Sequence, residues 1–178
     1  LAKKGYKIAV LEARTVGWGA SGRNGGQLGV GMRRDQATLE KILGYNHAKE
    51  LWNIGLEAVE ESIKDSGSVV LDTRSAEEYA GTDNRDNLRH GHIPSSVHVE
   101  WVQNVDEDGK FLSADKLKSL YGGASVTEEL DIYTLCQTAV RATHSWFVLE
   151  DLLGYNDVAV YDGSWTEWGN IPDTPIDS

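Results

Sequence analysis

Hydrophobic positions along this chain recur with two periods. Short β-rich runs closed by glycine or charge read as strands: YKIAVLE at 6–12, SVVLDTR at 68–74, VHVEW at 97–101, LDIYTL at 130–135 and VAVYDG at 158–163. Their near-continuous apolar character suits strands covered on both faces. Between them the period lengthens. Leu39, Ile42, Leu43, Leu51, Trp52, Leu56, Val59 and Ile63 recur at three- and four-residue spacings, which predicts helix over 36–64, weakened at Gly44 and Gly55. SAEEYA (75–80) reads as a short helix opened by a capping box, Ser75 with Glu78 three residues on. SADKLKSLYGG (113–123) starts at a serine cap and ends in glycine, and 141–153 is a helix closed by Gly154. DNRDNLRHGHIPSS (83–96) is a loop and SWTEWGNIPDTPIDS (164–178) an ordered tail.

Strands alternating with short helices predict an α/β fold, a mainly parallel sheet with helices on both faces. A strand, a glycine-rich loop and a long helix precede it as an amino-terminal extension. At 178 residues the chain is long enough to bury a core without disulfides or metals.

Charge narrows the partners. The net charge is −11, so no basic surface is on offer to a nucleic acid or an anionic membrane. No apolar run approaches the ~20 residues of a membrane span, and LAKKGYKIAVLEAR lacks the apolar core of a signal peptide. The single cysteine excludes an internal disulfide and a cysteine-based metal cluster. It fits a reducing compartment, so the expected location is cytoplasmic. Nothing in the pattern bears on oligomeric state.

That cysteine, Cys136, falls where the strand LDIYTL gives way to the helix starting near Arg141. In open α/β sheets, ligands bind beyond the carboxyl ends of strands. The first amides of a helix lack intrahelical partners and sit at the positive end of its dipole. The loop Gln137, Thr138, Ala139 and Val140 can therefore turn its N–H groups toward the sulfur. With the permanent charge of Arg141, these donors favour thiolate over thiol and hold an anion beside it. The bland reading is an inert thiol at the end of a buried strand.

Five segments carry a family resemblance: VVLDTRSAEEYAG, RHGHIPSSVHVEW, DEDGKFLSADKLKSLY, CQTAVRATHSWFVLEDLLGY and VYDGSWTEWGN. Together, over about 58–178, they resemble the rhodanese family, most of all the catalytic carboxy-terminal domain of tandem thiosulfate sulfurtransferases. The resemblance implies a sulfurtransferase. Cys136 takes the outer sulfur of thiosulfate or a similar donor as a persulfide and passes it to a thiophilic acceptor, cyanide or a thiol. Residues 137–140 then form the persulfide loop and Arg141 orients it. Asp72 and Arg74 match the family's Asp-x-Arg and support the loop. Arg89, with His92, falls in a segment packed beside the site, and Trp165 and Trp168 wall the pocket. His144 reads as helix surface or packing. No cofactor and no metal are implied, only a small-molecule donor and acceptor.

Two positions depart from the family. Ala139 stands where many relatives carry glycine, and Glu78 where vertebrate relatives carry a substrate-binding arginine. Two alternatives remain: a catalytically silent rhodanese-like binding module, and a cysteine-dependent phosphatase or arsenate reductase. The latter enzymes use a Cys-x5-Arg loop, whereas four residues separate Cys136 from Arg141.

Residues 1–57 lie outside that resemblance. LAKKGYKIAVLEARTVGWGASGRNGGQ and AKELWNIGLEAV resemble an internal piece of FAD-dependent oxidoreductases of the D-amino-acid oxidase type. In that family Glu12 bonds the adenosine ribose and the glycine-rich loop lines the flavin. A dinucleotide site, however, needs a first strand and a Gly-x-Gly-x-x-Gly turn about 20 residues before the acidic residue. Only eleven residues precede Glu12. The expectation is a truncated extension, 1–57, that binds no flavin, joined to a rhodanese-like domain, 58–178, as in a recombined gene or an engineered chimera.

Overall fold

The computed structural model of the protein describes residues 41–42 and 44–178. The expected strand at 6–12, Glu12 and the glycine-rich loop lie outside the described residues.

Helix α1 (Tyr45–Ser62) starts after Gly44, whose φ of 81° breaks the helical run; Gly55 lies within the helix and does not interrupt it. Strand β1 (Ser68–Asp72) follows, then the single turn α2 (Ala76–Tyr79), β2 (Val97–His98), α3 (Ala114–Gly123), β3 (Asp131–Leu135), α4 (Val140–Phe147), β4 (Val158–Val160) and α5 (Ser164–Trp168). The sheet order is β2-β1-β3-β4 and every pairing is parallel. The central pair runs in register from Ser68 opposite Asp131 to Asp72 opposite Leu135.

The two-residue alternation of β1 sorts the core into two layers. Val69 and Leu71 face Leu117 and Tyr121 of α3, with Val148 and Leu149. Val70 faces the other way, toward Val59 of α1 and Trp165 and Trp168 of α5. Helices thus cover both faces, as a parallel sheet requires.

Three local expectations change. VHVEW keeps only two residues of strand and turns into a 3-10 helix at Trp101–Asn104. The Val99 and Trp101 N–H groups still bond to the Asp72 and Thr73 carbonyls, so the segment stays docked as it leaves the sheet. The helix expected at 141–153 is regular only to Phe147. It then widens into a π turn, Val148–Leu152, where the Leu153 N–H reaches back to the Val148 carbonyl. Ser113 precedes α3 without a side-chain cap bond. The Ser75–Glu78 capping box forms as read.

The tail is ordered by pairing. His92 and Asp177 form an antiparallel bridge. Gly91, at φ 113°, is needed there, because a Cβ at that position would meet the Asp177 carbonyl oxygen at 2.1 Å.

Candidate active site

In the order β2-β1-β3-β4, successive strands step outward on opposite sides of β1, so the switch in direction falls between β1 and β3. The crevice beyond their carboxyl ends is where such sheets bind ligands. Asp72, Thr73 and Arg74 leave β1 there, and Cys136 leaves β3.

The β1 end is a scaffold. Arg74 donates from Nε and Nη2 to Asp72 at 3.0 and 2.6 Å, and from Nη2 to the Gly91 carbonyl at 2.8 Å. Its guanidinium lies 4.1 Å from the centre of the Trp165 ring. Asp72, Arg74 and Trp165 are all buried. Thr73 donates its N–H and its hydroxyl to the Leu135 carbonyl, fixing the last residue before Cys136. Asp72 and Arg74 therefore form a buried pair that flanks Thr73 at the end of β1. Trp165 is a core residue that carries Arg74.

The loop itself is stapled by α5. The Ser164 hydroxyl accepts from the Cys136 N–H at 3.2 Å and from the Ala139 N–H at 3.1 Å, and donates to the Tyr161 carbonyl at 2.9 Å. The Trp165 and Thr166 N–H groups take the Cys136 and Gln137 carbonyls at 2.9 and 3.1 Å. Of the N–H groups of loop residues 137–140, expected to turn to the sulfur, that of Ala139 is held by Ser164 instead. Ala139, which stands where many relatives carry glycine, adopts the left-handed conformation at φ 65°. That conformation reverses the chain into α4, whose Thr143 N–H then returns to the Ala139 carbonyl.

Cys136 is 1% exposed. It packs with Ala139, Ala142 and Val160, with Trp146 against them. Arg141 lies in the first turn of α4, and its Nη1 and Nη2 donate to the two oxygens of Glu78 at 2.6 and 2.8 Å. The Arg141 pKa is raised above its ordinary value, first by the hydrogen bonds to Glu78, against burial, and further by the Glu78 charge and by the charge and hydrogen bonding of Cys136. Burial alone would raise the Glu78 carboxyl. The Arg141 hydrogen bond, the Ser75 N–H and the Arg141 and Arg85 charges outweigh it and hold the group at about 2. Arg141 is thus one half of a part-buried ion pair.

The remaining residues divide. Gln137 donates to the Asn87 side chain at 3.2 Å, while its own Oε1 is buried without a partner. Thr138 and Val140 are exposed at the rim. Arg89 does not join the site. Its guanidinium holds the carbonyls of Trp168, Ile171, Pro172 and Thr174 and so ties down the tail. His92 stacks on Tyr79 at 3.9 Å. His144 lies against Trp101 and Phe111, and burial lowers its pKa. Sequence reasoning missed Ser164 as the staple; only the run of small residues entering α5 hinted at a close approach. A groove of about 290 Å³ near Lys118, Glu128 and Tyr155 lies at the amino ends of β3 and β4, opposite Cys136.

The rhodanese-like domain model matches residues 56–171. The chain is 43% identical over 121 residues to the sulfur carrier protein TtuD of Thermus thermophilus, covering 64% of this chain and 42% of the relative. It is 43% identical over 114 residues to the putative thiosulfate sulfurtransferase SseA of Mycobacterium tuberculosis, covering 60% of this chain and 38% of the relative. The chain thus spans about two fifths of the length of these curated relatives. The wild-type structure of EanB superposes with a TM-score of 0.65 over 68% of this chain and 30% of that one, at 23% identity, a likeness of fold. The family match, the parallel sheet and the placement of Cys136 at its switch point agree: the chain belongs to the rhodanese-like domain family.

Proposed function

We propose that the protein is a sulfurtransferase working through a Cys136 persulfide. The Cys136 thiolate attacks the outer sulfur of a sulfane donor. The donor's S–S bond breaks and its electron pair leaves on the remaining fragment. A thiophilic acceptor, cyanide or a thiol, then attacks the outer sulfur of the persulfide, and the Cys136 thiolate is regenerated. Gln137, Thr138 and Val140 supply the amides left to cradle that sulfur. Arg141 orients the loop.

The observation that carries this reading is that Cys136 lies on a loop pinned by Ser164 at the strand ends where this fold binds ligands, with Arg141, paired to Glu78, on the helix that follows. The names of the relatives, sulfur carrier and thiosulfate sulfurtransferase, support it. One observation favours the other reading, a silent binding module: Cys136 is 1% exposed, as an inert thiol would be. Thiocyanate production from a sulfane donor and cyanide separates the two. The parent protein is expected to turn over and Cys136→Ser to be inactive yet folded; equal rates would refute the assignment.

A further inference from the structure

Glu78 is buried, with a side chain 3% exposed, and it is fully engaged. It accepts from Arg141 through both oxygens and from the Ser75 N–H at 3.1 Å, so it cannot swing away. Just after β1, Arg74 is likewise paired with Asp72. The half-buried Arg141 and the buried Arg74 thus each have their own carboxylate, and a Cys136 thiolate adds a negative charge that neither pair offsets. Arg85 Nε stands 3.5 Å from Glu78, but its side chain is 52% exposed, where solvent weakens its field.

We propose that Glu78 is a specificity-determining residue that tunes the site to sulfur donors bearing one negative charge, such as organic persulfides and thiosulfonates, over the dianion thiosulfate. The inference rests on sulfur transfer through Cys136. The chemistry is the same for every donor: the thiolate takes the outer sulfur, the S–S bond breaks, and the electron pair leaves on sulfite from thiosulfate, on a sulfinate from a thiosulfonate, or on a thiolate from an organic persulfide. What differs is the second negative charge, which must enter a crevice already holding Glu78 and the thiolate.

The test is the kcat/KM for persulfide formation with thiosulfate and with benzenethiosulfonate, at fixed ionic strength. Glu78→Gln keeps the shape and the acceptor oxygen while removing the charge. The thiosulfate-to-benzenethiosulfonate ratio is expected to rise about tenfold, the order for one unit charge acting at an effective dielectric near 20 with partial screening. Arg85→Gln, at an exposed position that the fold tolerates, should lower the ratio by about threefold on the same grounds. Should Glu78→Gln fail to fold, the Arg85 variant decides. A ratio unchanged in every folded variant, with persulfide still forming, overturns the role of Glu78 alone. No persulfide on Cys136 from either donor, in the parent protein, overturns sulfur transfer itself.

Discussion

The hydroxyl oxygen of Ser164 stands 3.2 Å from the amide nitrogen of Cys136, 28 residues earlier in the chain, and takes the Ala139 N–H as well. One buried side chain thereby fixes both limbs of the loop that carries the thiol. Ser164→Ala leaves two buried N–H groups without their partner, while the Tyr161 carbonyl keeps the Ser164 N–H. The expected cost is about 2 kcal/mol in urea unfolding, since a buried donor left unpaired loses its solvation outright. Persulfide formation should slow by more than stability alone explains, with Cys136 still open to alkylation. Unfolding and rates matching those of the parent would show that the staple is dispensable.

Glu167 sets a pH dependence of opposite sign to that of most carboxylates. Burial lifts it from 4.5 to about 7, with the Asp162 charge adding and the Tyr161 hydroxyl partly offsetting. Its Oε1 is buried without a partner. The folded state thus keeps the proton to about pH 7, whereas the unfolded chain releases it near 4.5. The stability this proton confers is complete below 4.5 and is lost as the pH rises to about 7. Glu78, held at about 2, acts in the other direction and below that window, losing its contribution as the pH falls from 4.5. Glu167→Gln cannot titrate. The stability of the parent relative to this variant should therefore decline from pH 4.5 to 7 and level off above; parallel curves would contradict the assignment.

Ala139 balances two effects. At φ 65° a Cβ is strained by about 1 kcal/mol, yet its buried methyl is worth about 0.8 kcal/mol. Glycine also gains unfolded-state entropy. Ala139→Gly is thus expected to melt within about 1 kcal/mol of the parent, the three terms nearly cancelling. Ala139→Val adds β-branched bulk to the same conformation and should cost about 3 kcal/mol. A valine variant as stable as the parent would mean that the loop does not hold this conformation in solution.

Where periodicity or local chemistry carried the signal, the sequence was legible. β1 and β3 lie within SVVLDTR and LDIYTL, because strands covered on both faces are apolar throughout. The Ser75–Glu78 box is local and forms as spelled. What escaped was set by tertiary placement. Ser164 becomes the staple only because the chain turns at φ 50° after β4 and points its hydroxyl under a distant loop. The Arg141–Glu78 pair joins residues 63 apart, and no spacing rule connects them. Arg89 looked like a site residue because its segment borders the crevice, but its guanidinium turns to the tail carbonyls. VHVEW alternates like a strand, yet it has a sheet partner for only two of its residues.

The central claim is that the buried thiol of Cys136 accepts and holds a second sulfur. Intact mass of the protein after brief treatment with benzenethiosulfonate and with thiosulfate tests it directly. The expected result is a gain of one sulfur atom, localised to the peptide containing Cys136, absent from Cys136→Ser and removed by cyanide with release of thiocyanate. A mass unchanged by either donor, in protein whose Cys136 still reacts with a small alkylating agent, would contradict it.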